Sequence, residues 1–465
     1  MALGLSYASR LLTLATAYKA KLLCSGLFVA NRTAPDLLTQ DLAVDSLAPL
    51  KYVQASIDND KQLVTTRFLG LGDRTALYRP GLGSTLIFNA TPATLREQGK
   101  DFVIWSQQHP RRHQELPATV ELPTHINADQ LNQTIKNAFT EQNSARLKRT
   151  RAIVILHKGS VITERYAKGF SAHTPLLGWS MTKSVINALI GILVQQGTLS
   201  LSADHLLPEW RSPNDPRRHI TLDQLLRMSS GLSFSEDYAS PLADATTMLF
   251  QRGDRAHYAA HLPLSAPPDT QFAYASGTTV LLCKIIKEAL NSSLTDCFSF
   301  PQRALFDKLG MASAILEPDE AGTFTGSSFM YATARDWAKL GLLYLQNGCY
   351  VVNGQPEQLL PTNWVAYSTG HNPTTPYYGA HFWKGVPLSF SAQKPVTRQK
   401  QTHEIQTDKW PKDAYLASGY QGQFVTVVPS CELVVVRLGL SQRRHSWDHE
   451  QFIFQIVQAV SPQPA

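Results

Sequence analysis

The sequence predicts an α+β fold: an antiparallel sheet with terminal helices packed on one face, plus a second lobe that is mostly helical. Three observations carry this. Two Val- and Ile-rich hairpin patterns stand far apart, at residues 152–170 and 423–440. A four-residue apolar repeat precedes the first, and a helix-like stretch ending at Val460 follows the second. Between the hairpins the chain reads as helices and loops. An order of helix, strands, helical insertion, strands, helix assembles one sheet from both ends and leaves the middle to a separate lobe.

Residues 1–125 read as a lead-in, punctuated by Asn, Asp, Pro and Gly, with a turn at Arg79-Pro-Gly-Leu-Gly83 and no long periodic helix. The main domain is expected over 126–465, with the helical lobe inserted over roughly 180–345. In "NADQLNQTIKNAFTEQ", Leu131, Ile135 and Phe139 share a helix face and Asn127 is the N-cap. "AIVILHKGSVITERYAKGF" reads as a hairpin turning at Lys158-Gly159, its second strand alternating Val161, Thr163 and Arg165. "QFVTVVPSCELVVVRLGL" repeats the pattern around Pro429-Ser430. "RSPNDPRRH" and "LSAPPDT" are turns within the insertion.

With 465 residues the chain can bury one large core or two ordinary ones, and 43% hydrophobic against 17% charged residues is a globular balance. The net charge of +7 is scattered, apart from Arg111-Arg112-His113 and Arg217-Arg218-His219. No basic run carries interleaved aromatics, which argues against nucleic acid and leaves a mildly anionic surface open. Five widely spaced cysteines with no C-x-x-C pair exclude a disulfide framework and a zinc knuckle, so buried thiols are expected. Leu11–Tyr18 is apolar but short, and Lys19 and Lys21 interrupt before Leu22–Ala30. Neither stretch reaches the ~18 apolar residues of a membrane span. No clean cleavage site follows. Membrane association through the N-terminus, the compartment and the oligomeric state stay open.

The chemistry centres on "GWSMTKSVINALIGILV". Ser180 and Lys183 are three residues apart where an apolar helix opens, so Ser180 Oγ and Lys183 Nζ can meet on one face. A serine hydroxyl needs a neighbour to take its proton, and a lysine can do so only when burial favours its neutral form. The same S-x-x-K recurs at Ser391 and Lys394, in a polar stretch that no helix pattern organises, and that copy is read as chance. "FAYASGTTVLL" puts Tyr274 and Ser276 in a loop before another apolar helix, where a phenol can relay a proton. "LASGYQGQF" carries Gly419 and Gly422 at a strand, where glycine marks close approach.

These stretches resemble the serine β-lactamase and penicillin-binding-protein superfamily, with its S-x-x-K, Y-x-N and K-T-G motifs in this order. Within it, "SMTKS", "ITLDQLLRMSSGLSFSEDY", "YASGTT" and "GYQGQ" are similar to segments of class C-type esterases and 6-aminohexanoate-dimer hydrolases. The resemblance covers roughly residues 128–465, and "YKAKLLCSGLFV" is similar to the lead-in of some members. It implies a β-lactamase/transpeptidase-like fold and a serine hydrolase without metal or organic cofactor. It implies Ser180 as nucleophile, Lys183 as general base and Tyr274 as the acid that protonates the leaving group. The backbone N–H groups of Ser180 and Tyr420 would form the oxyanion hole. Tyr238, Ser276, Ser418 and Gly419 would touch substrate, Tyr238 being equally readable as an ordinary half-buried tyrosine.

Two departures set the substrate expectation. Ala417-Ser418-Gly419 stands at K-T-G, so the lysine that grips a carboxylate is absent, and Tyr-x-Asn has become Tyr-x-Ser. Both favour a small amide or ester over a β-lactam. Other readings are weaker. His257/His261 and His445/His449 have zinc-helix spacing but lack the Glu of H-E-x-x-H. His381 reads as structural. No second glycine follows Ser180, so an α/β-hydrolase elbow fails. The rival class is a catalytically silent penicillin-recognising or peptidoglycan-binding receptor.

Overall fold

The structure is a computed structural model that describes residues 2–42, 44–119, 121–238, 240, 242–352, 355–387, 409–443 and 446–461. It divides into two compact units. The first comprises Met1–Arg111, Gln196–Leu305 and Ile315–Tyr331; the second comprises Arg112–Gln195, Phe306–Ala314 and Ala332–Ala465.

The first unit corrects the expectation for residues 1–125, since two long helices stand where none was expected. Helix α1 (Ala2–Phe28) is continuous through Lys19 and Lys21, and α2 (Pro92–Gln108) starts on a Thr91 cap. The lysines that interrupt the apolar run do not end the helix, because both are buried and satisfied. Lys19 Nζ donates to the carbonyls of Leu50 and Val53 at 2.9 and 2.5 Å. Lys21 Nζ donates to Ser84 O at 2.5 Å and pairs with Glu317, whose carboxylate also accepts Ser25 Oγ at 2.8 Å and Ser84 N at 2.7 Å. A buried charge is tolerable only when paired and hydrogen-bonded in this way. By length and composition Tyr7–Phe28 is also able to cross a membrane, although half of that segment is buried within this unit. Beside α1 lies an antiparallel sheet in the order β1 (Gln54–Asp58), β2 (Leu63–Phe68), β3 (Leu71–Arg79), β4 (Gly83–Ile87). The β3–β4 turn is the expected Arg79–Gly83 stretch, with Gly81 and Gly83 both at positive φ.

In the second unit a five-stranded antiparallel sheet is built from both ends of the chain. Its strands are β5 (Thr150–His157), β6 (Ser160–Tyr166), β7 (Tyr415–Gly419), β8 (Gln423–Val428) and β9 (Leu433–Gly439), in the order β7-β8-β9-β5-β6. The β5–β6 turn is Lys158-Gly159, both residues at positive φ, as a two-residue hairpin turn requires. Helix α3 (Ala128–Phe139) has Asn127 as its cap. Leu131 and Ile135 of α3 pack with Ile153, Ile155 and Val435 and with Phe452, Ile453 and Ile456 of the terminal helix His449–Val460, which ends where expected. Helix α4 (Thr182–Gln195) is buried along nearly its whole length, and helix α5 (Ala334–Leu345) places Gly341 against Val434 and Val425. All five cysteines are free thiols, with Cys24, Cys283 and Cys297 buried.

Candidate active site

Ser180 lies in a single 3₁₀ turn, Trp179–Met181, that runs directly into α4. Lys183, one turn on, donates from Nζ to Ser180 Oγ at 3.1 Å, and the two residues are only 1% and 7% exposed. The turn is held under strain: Trp179 has φ of 48°, a left-handed conformation that costs a bulky residue about 1–3 kcal/mol. Contacts to Gln421 and Tyr420 help hold it there. The Trp179 indole donates to Gln421 Oε1 at 3.3 Å and meets the Tyr420 ring edge-on at 5.6 Å between centroids.

The strand end β7 comes closer still. A Cβ on Gly419 would stand 2.1 Å from the Gly178 carbonyl oxygen, and one on Gly178 would stand 2.2 Å from the Trp337 ring. Both positions therefore admit only glycine, and they bring Gly419-Tyr420 against the Gly178–Ser180 turn. Ser418 is buried within β7, opposite Phe424.

Behind this turn, α4 is fastened by a buried polar network. Ser184 Oγ donates to His381 O at 2.7 Å, and Asn187 Nδ2 donates to Ala380 O at 2.9 Å. Asn187 Oδ1 accepts from Trp364 Nε1 at 2.9 Å, from Ser368 Oγ at 3.2 Å and from the Tyr344 hydroxyl at 2.5 Å. His381 is 2% exposed with φ of 61°; burial, and then the Lys183 charge, hold its imidazole well below the usual histidine range.

The remaining expected residues gather in the first unit around a carboxylate the sequence reading passed over. Glu236 accepts the Ser276 N–H at 2.7 Å, the Ser276 hydroxyl at 2.6 Å and the Tyr238 hydroxyl at 2.5 Å. Tyr274 lies two residues before the Ser276–Leu290 helix, and burial, Glu236 and Tyr274 together raise Tyr238 well above the usual tyrosine range. Glu236 is visible in "SEDY", but no spacing rule ties an acid there to a loop 40 residues on. The structure thus brings Ser180, Lys183, Gly419 and Tyr420 together in one unit, and Tyr238 and Ser276 together in the other.

The beta-lactamase family model matches residues 136–458, a stretch that includes the serine–lysine pair opening α4 and the strand glycine pressed against its turn. The chain belongs to the beta-lactamase family. It is 24% identical over 210 residues to the 6-aminohexanoate-dimer hydrolase of Paenarthrobacter ureafaciens, covering 43% of this chain and 53% of that relative. The match spans about half of the relative's length. A candidate 6-aminohexanoate-dimer hydrolase from Bacillus anthracis superposes at TM-score 0.56 with 19% identity, over 77% of this chain and 93% of that one. A penicillin-binding protein homologue from Caulobacter crescentus superposes at 0.52 with 15% identity, over 74% and 99%. At such identities the likeness shows the beta-lactamase fold.

The other singled-out residues of this beta-lactamase-family chain have separate roles. Ser391, Lys394 and His445 lie outside the described residues. His449 is buried and stacked on Phe424, its Nδ1 accepting from the Trp447 indole at 3.1 Å and its Nε2 facing Thr426 Oγ1 at 2.8 Å, a fully structural histidine. Tyr420 is raised by burial. Among the described residues one group could hold a metal ion: exposed Asp204, His205 and His219. There Arg218 Nε donates to His205 Nε2 at 2.9 Å, which leaves the imidazole proton on Nδ1, facing Asp204 at 2.7 Å. Both ring nitrogens of His205 are thus engaged by neighbouring side chains.

Proposed function

We propose that this chain is a serine hydrolase that cleaves a small amide or ester through an acyl-enzyme on Ser180. The observation that carries the reading is the 3.1 Å contact between Lys183 Nζ and Ser180 Oγ inside a buried turn. Burial disfavours an ammonium, and a neutral amine accepts the hydroxyl proton across that same contact. Ser180 Oγ then bonds to the substrate carbonyl carbon as its proton passes to Lys183. Negative charge moving onto the carbonyl oxygen is met by the backbone N–H groups of Ser180 and Tyr420, a pairing supported by the close approach of Gly419 to Gly178. Tyr274 relays the proton to the departing amine or alcohol, and water attack on the acyl-Ser180 ester reverses these roles.

The relative that acts on the 6-aminohexanoate dimer supports an amide substrate, and Ala417 in place of the K-T-G lysine supports one that needs no carboxylate grip. A fluorophosphonate probe tests the reading directly. Labelling at Ser180, absent in Ser180→Ala, together with turnover of a short-chain ester or ω-amino acid oligomer, is the expected result. A protein that binds penicillin without labelling or turnover is instead the silent receptor.

A further inference from the structure

The β2–β3 hairpin breaks two local rules at one residue. Phe68 pairs with Leu71, so the turn is the two-residue Leu69-Gly70, with φ of 49° and 78°. Asn-Gly or Asp-Gly is the residue pair such a turn favours, because a leucine pays strain in the left-handed region. Leu69 gains nothing in return from this chain: it is 79% exposed, and Leu71 beside it is 64% exposed, the first and third most exposed large hydrophobic residues of the described chain. A strained, solvated leucine that no internal contact compensates points to an external partner.

A second apolar element runs to the same place. Helix α1 lies alongside β3 in the same direction, with Thr16 Oγ1 donating to Gly72 O at 2.7 Å and Cys24 Sγ to Ala76 O at 3.6 Å. Leu12 lies 3.2 Å from where a Gly72 Cβ would stand, so the turns of α1 before Leu12 run past the hairpin tip. There Tyr7 is 51% exposed, and the sequence before it is Met-Ala-Leu-Gly-Leu-Ser. The charge at this end is net positive: Arg10, Arg67 and Arg74 stand against one acid, Asp73, which pairs with Arg67 at 3.4 Å.

We infer that the Leu69–Leu71 hairpin tip and the start of α1 form a docking surface for an anionic phospholipid bilayer, which they enter without crossing. The depth is fixed by the unit itself. Lys19 and Lys21 are buried and bonded to Leu50, Val53, Ser84 and Glu317, so α1 cannot slide further into lipid without breaking those contacts. The ten steps from Ala2 to Leu12 span about 15 Å along the helix, well short of the ~30 Å hydrocarbon core, so this end enters lipid without crossing it. Arg10 then sits at headgroup level, where basic residues meet anionic lipid.

The test is flotation of the full-length chain with phosphatidylcholine vesicles and with vesicles containing phosphatidylserine. Binding to the phosphatidylserine vesicles, weakened by salt, is expected. The variant Leu69→Asn with Leu71→Thr supplies the residues the turn and strand favour, so it should melt no lower than the parent while losing binding about tenfold or more. Ser180→Ala should float like the parent, which separates this surface from the hydrolase reading. Equal flotation of the double variant, or no flotation of the parent with either vesicle, overturns the inference. A lipid-free dimer that the double variant abolishes would also overturn it, replacing the bilayer with a second copy of the chain.

Discussion

The Glu236 carboxylate accepts both the backbone N–H of Ser276, at 2.7 Å, and its hydroxyl, at 2.6 Å. One side chain therefore supplies the acceptor for the N-terminus of the Ser276–Leu290 helix and occupies the Ser276 hydroxyl, in the stretch that resembles the family's Tyr-x-Asn motif. Ser276, expected to touch substrate, is turned to an internal partner. We expect Glu236→Ala to lower stability by about 1–2 kcal/mol, as loss of a helix-terminal acceptor does. It should also lower kcat/KM by about ten- to a hundredfold by loosening the Tyr274 loop. Ser276→Ala keeps the backbone bond and should lose less on both counts. Denaturant melts and steady-state kinetics of the two variants decide it; Ser276→Ala being the more damaging would contradict this role for Glu236.

Nucleophile and base acting as a unit predict non-additive losses. Ser180→Ala and Lys183→Ala should each abolish turnover without unfolding the protein, and the double variant should be little worse than either. Lys183→Arg should fail as well, because a guanidinium does not give up its proton. Near-parental rates in Lys183→Arg would return Lys183 to a structural role and leave Ser180 without its base.

Gly419→Ala places a methyl group 2.1 Å from the Gly178 oxygen, backbone against backbone, where no side chain can swing aside. A loss of about 1–3 kcal/mol in stability is expected, the usual range for overpacking. A fall in kcat should accompany it, since the displaced strand end carries Tyr420. Crystal structures of the variant would show β7 displaced; an unshifted strand with parental kcat would refute the steric account.

Acid sensitivity should follow from His381 and His449, both held well below the ordinary histidine value of 6.5, first by burial. As pH falls through that value the unfolded chain takes up protons that the folded chain refuses. Stability therefore declines, with a limiting slope of about 1.4 kcal/mol per pH unit for each histidine. Asp319, pushed up to about 6 by burial, works in the opposite direction below that pH, since its folded form binds the proton first. Comparing variants removes this offset. His381→Asn, which tolerates the left-handed backbone, should lose one histidine's share of the slope between pH 6.5 and 5 in urea melts.

Without a lysine at Ala417, β-lactam turnover should run at least about tenfold below that of the best small ester or amide, the usual loss when a charged partner is removed. Nitrocefin hydrolysed faster than every ester and amide in a panel would overturn this expectation.

Periodic patterns made much of this legible. Asn127, Lys158-Gly159 and the helix ending at Val460 stand where alternation, turn chemistry and capping place them, and Ser180 meets Lys183 because three residues make a helical turn. What escaped depends on partners distant in sequence. Lys19 and Lys21 look like interruptions until Leu50, Val53, Ser84 and Glu317 are seen to receive them, so α1 was not foreseen. Glu236 carries no sequence signal of its own, because its partner is in a loop 40 residues away. The strain at Trp179 and Leu69 is a backbone property that residue identity alone does not reveal.

The pairing of Lys21 with Glu317 also sets a timetable for synthesis. The two residues are separated by 296 positions, and the first unit is assembled from three separate stretches of chain. On the ribosome, α1 emerges with two lysines and an apolar face long before Glu317 exists to neutralise Lys21. At about 5–20 residues per second that wait lasts roughly 15–60 seconds. The second unit's sheet likewise waits for β7, β8 and β9. The nascent chain therefore carries Lys21 without its carboxylate through most of translation, a natural client for a chaperone or a lipid surface until residue 317 arrives.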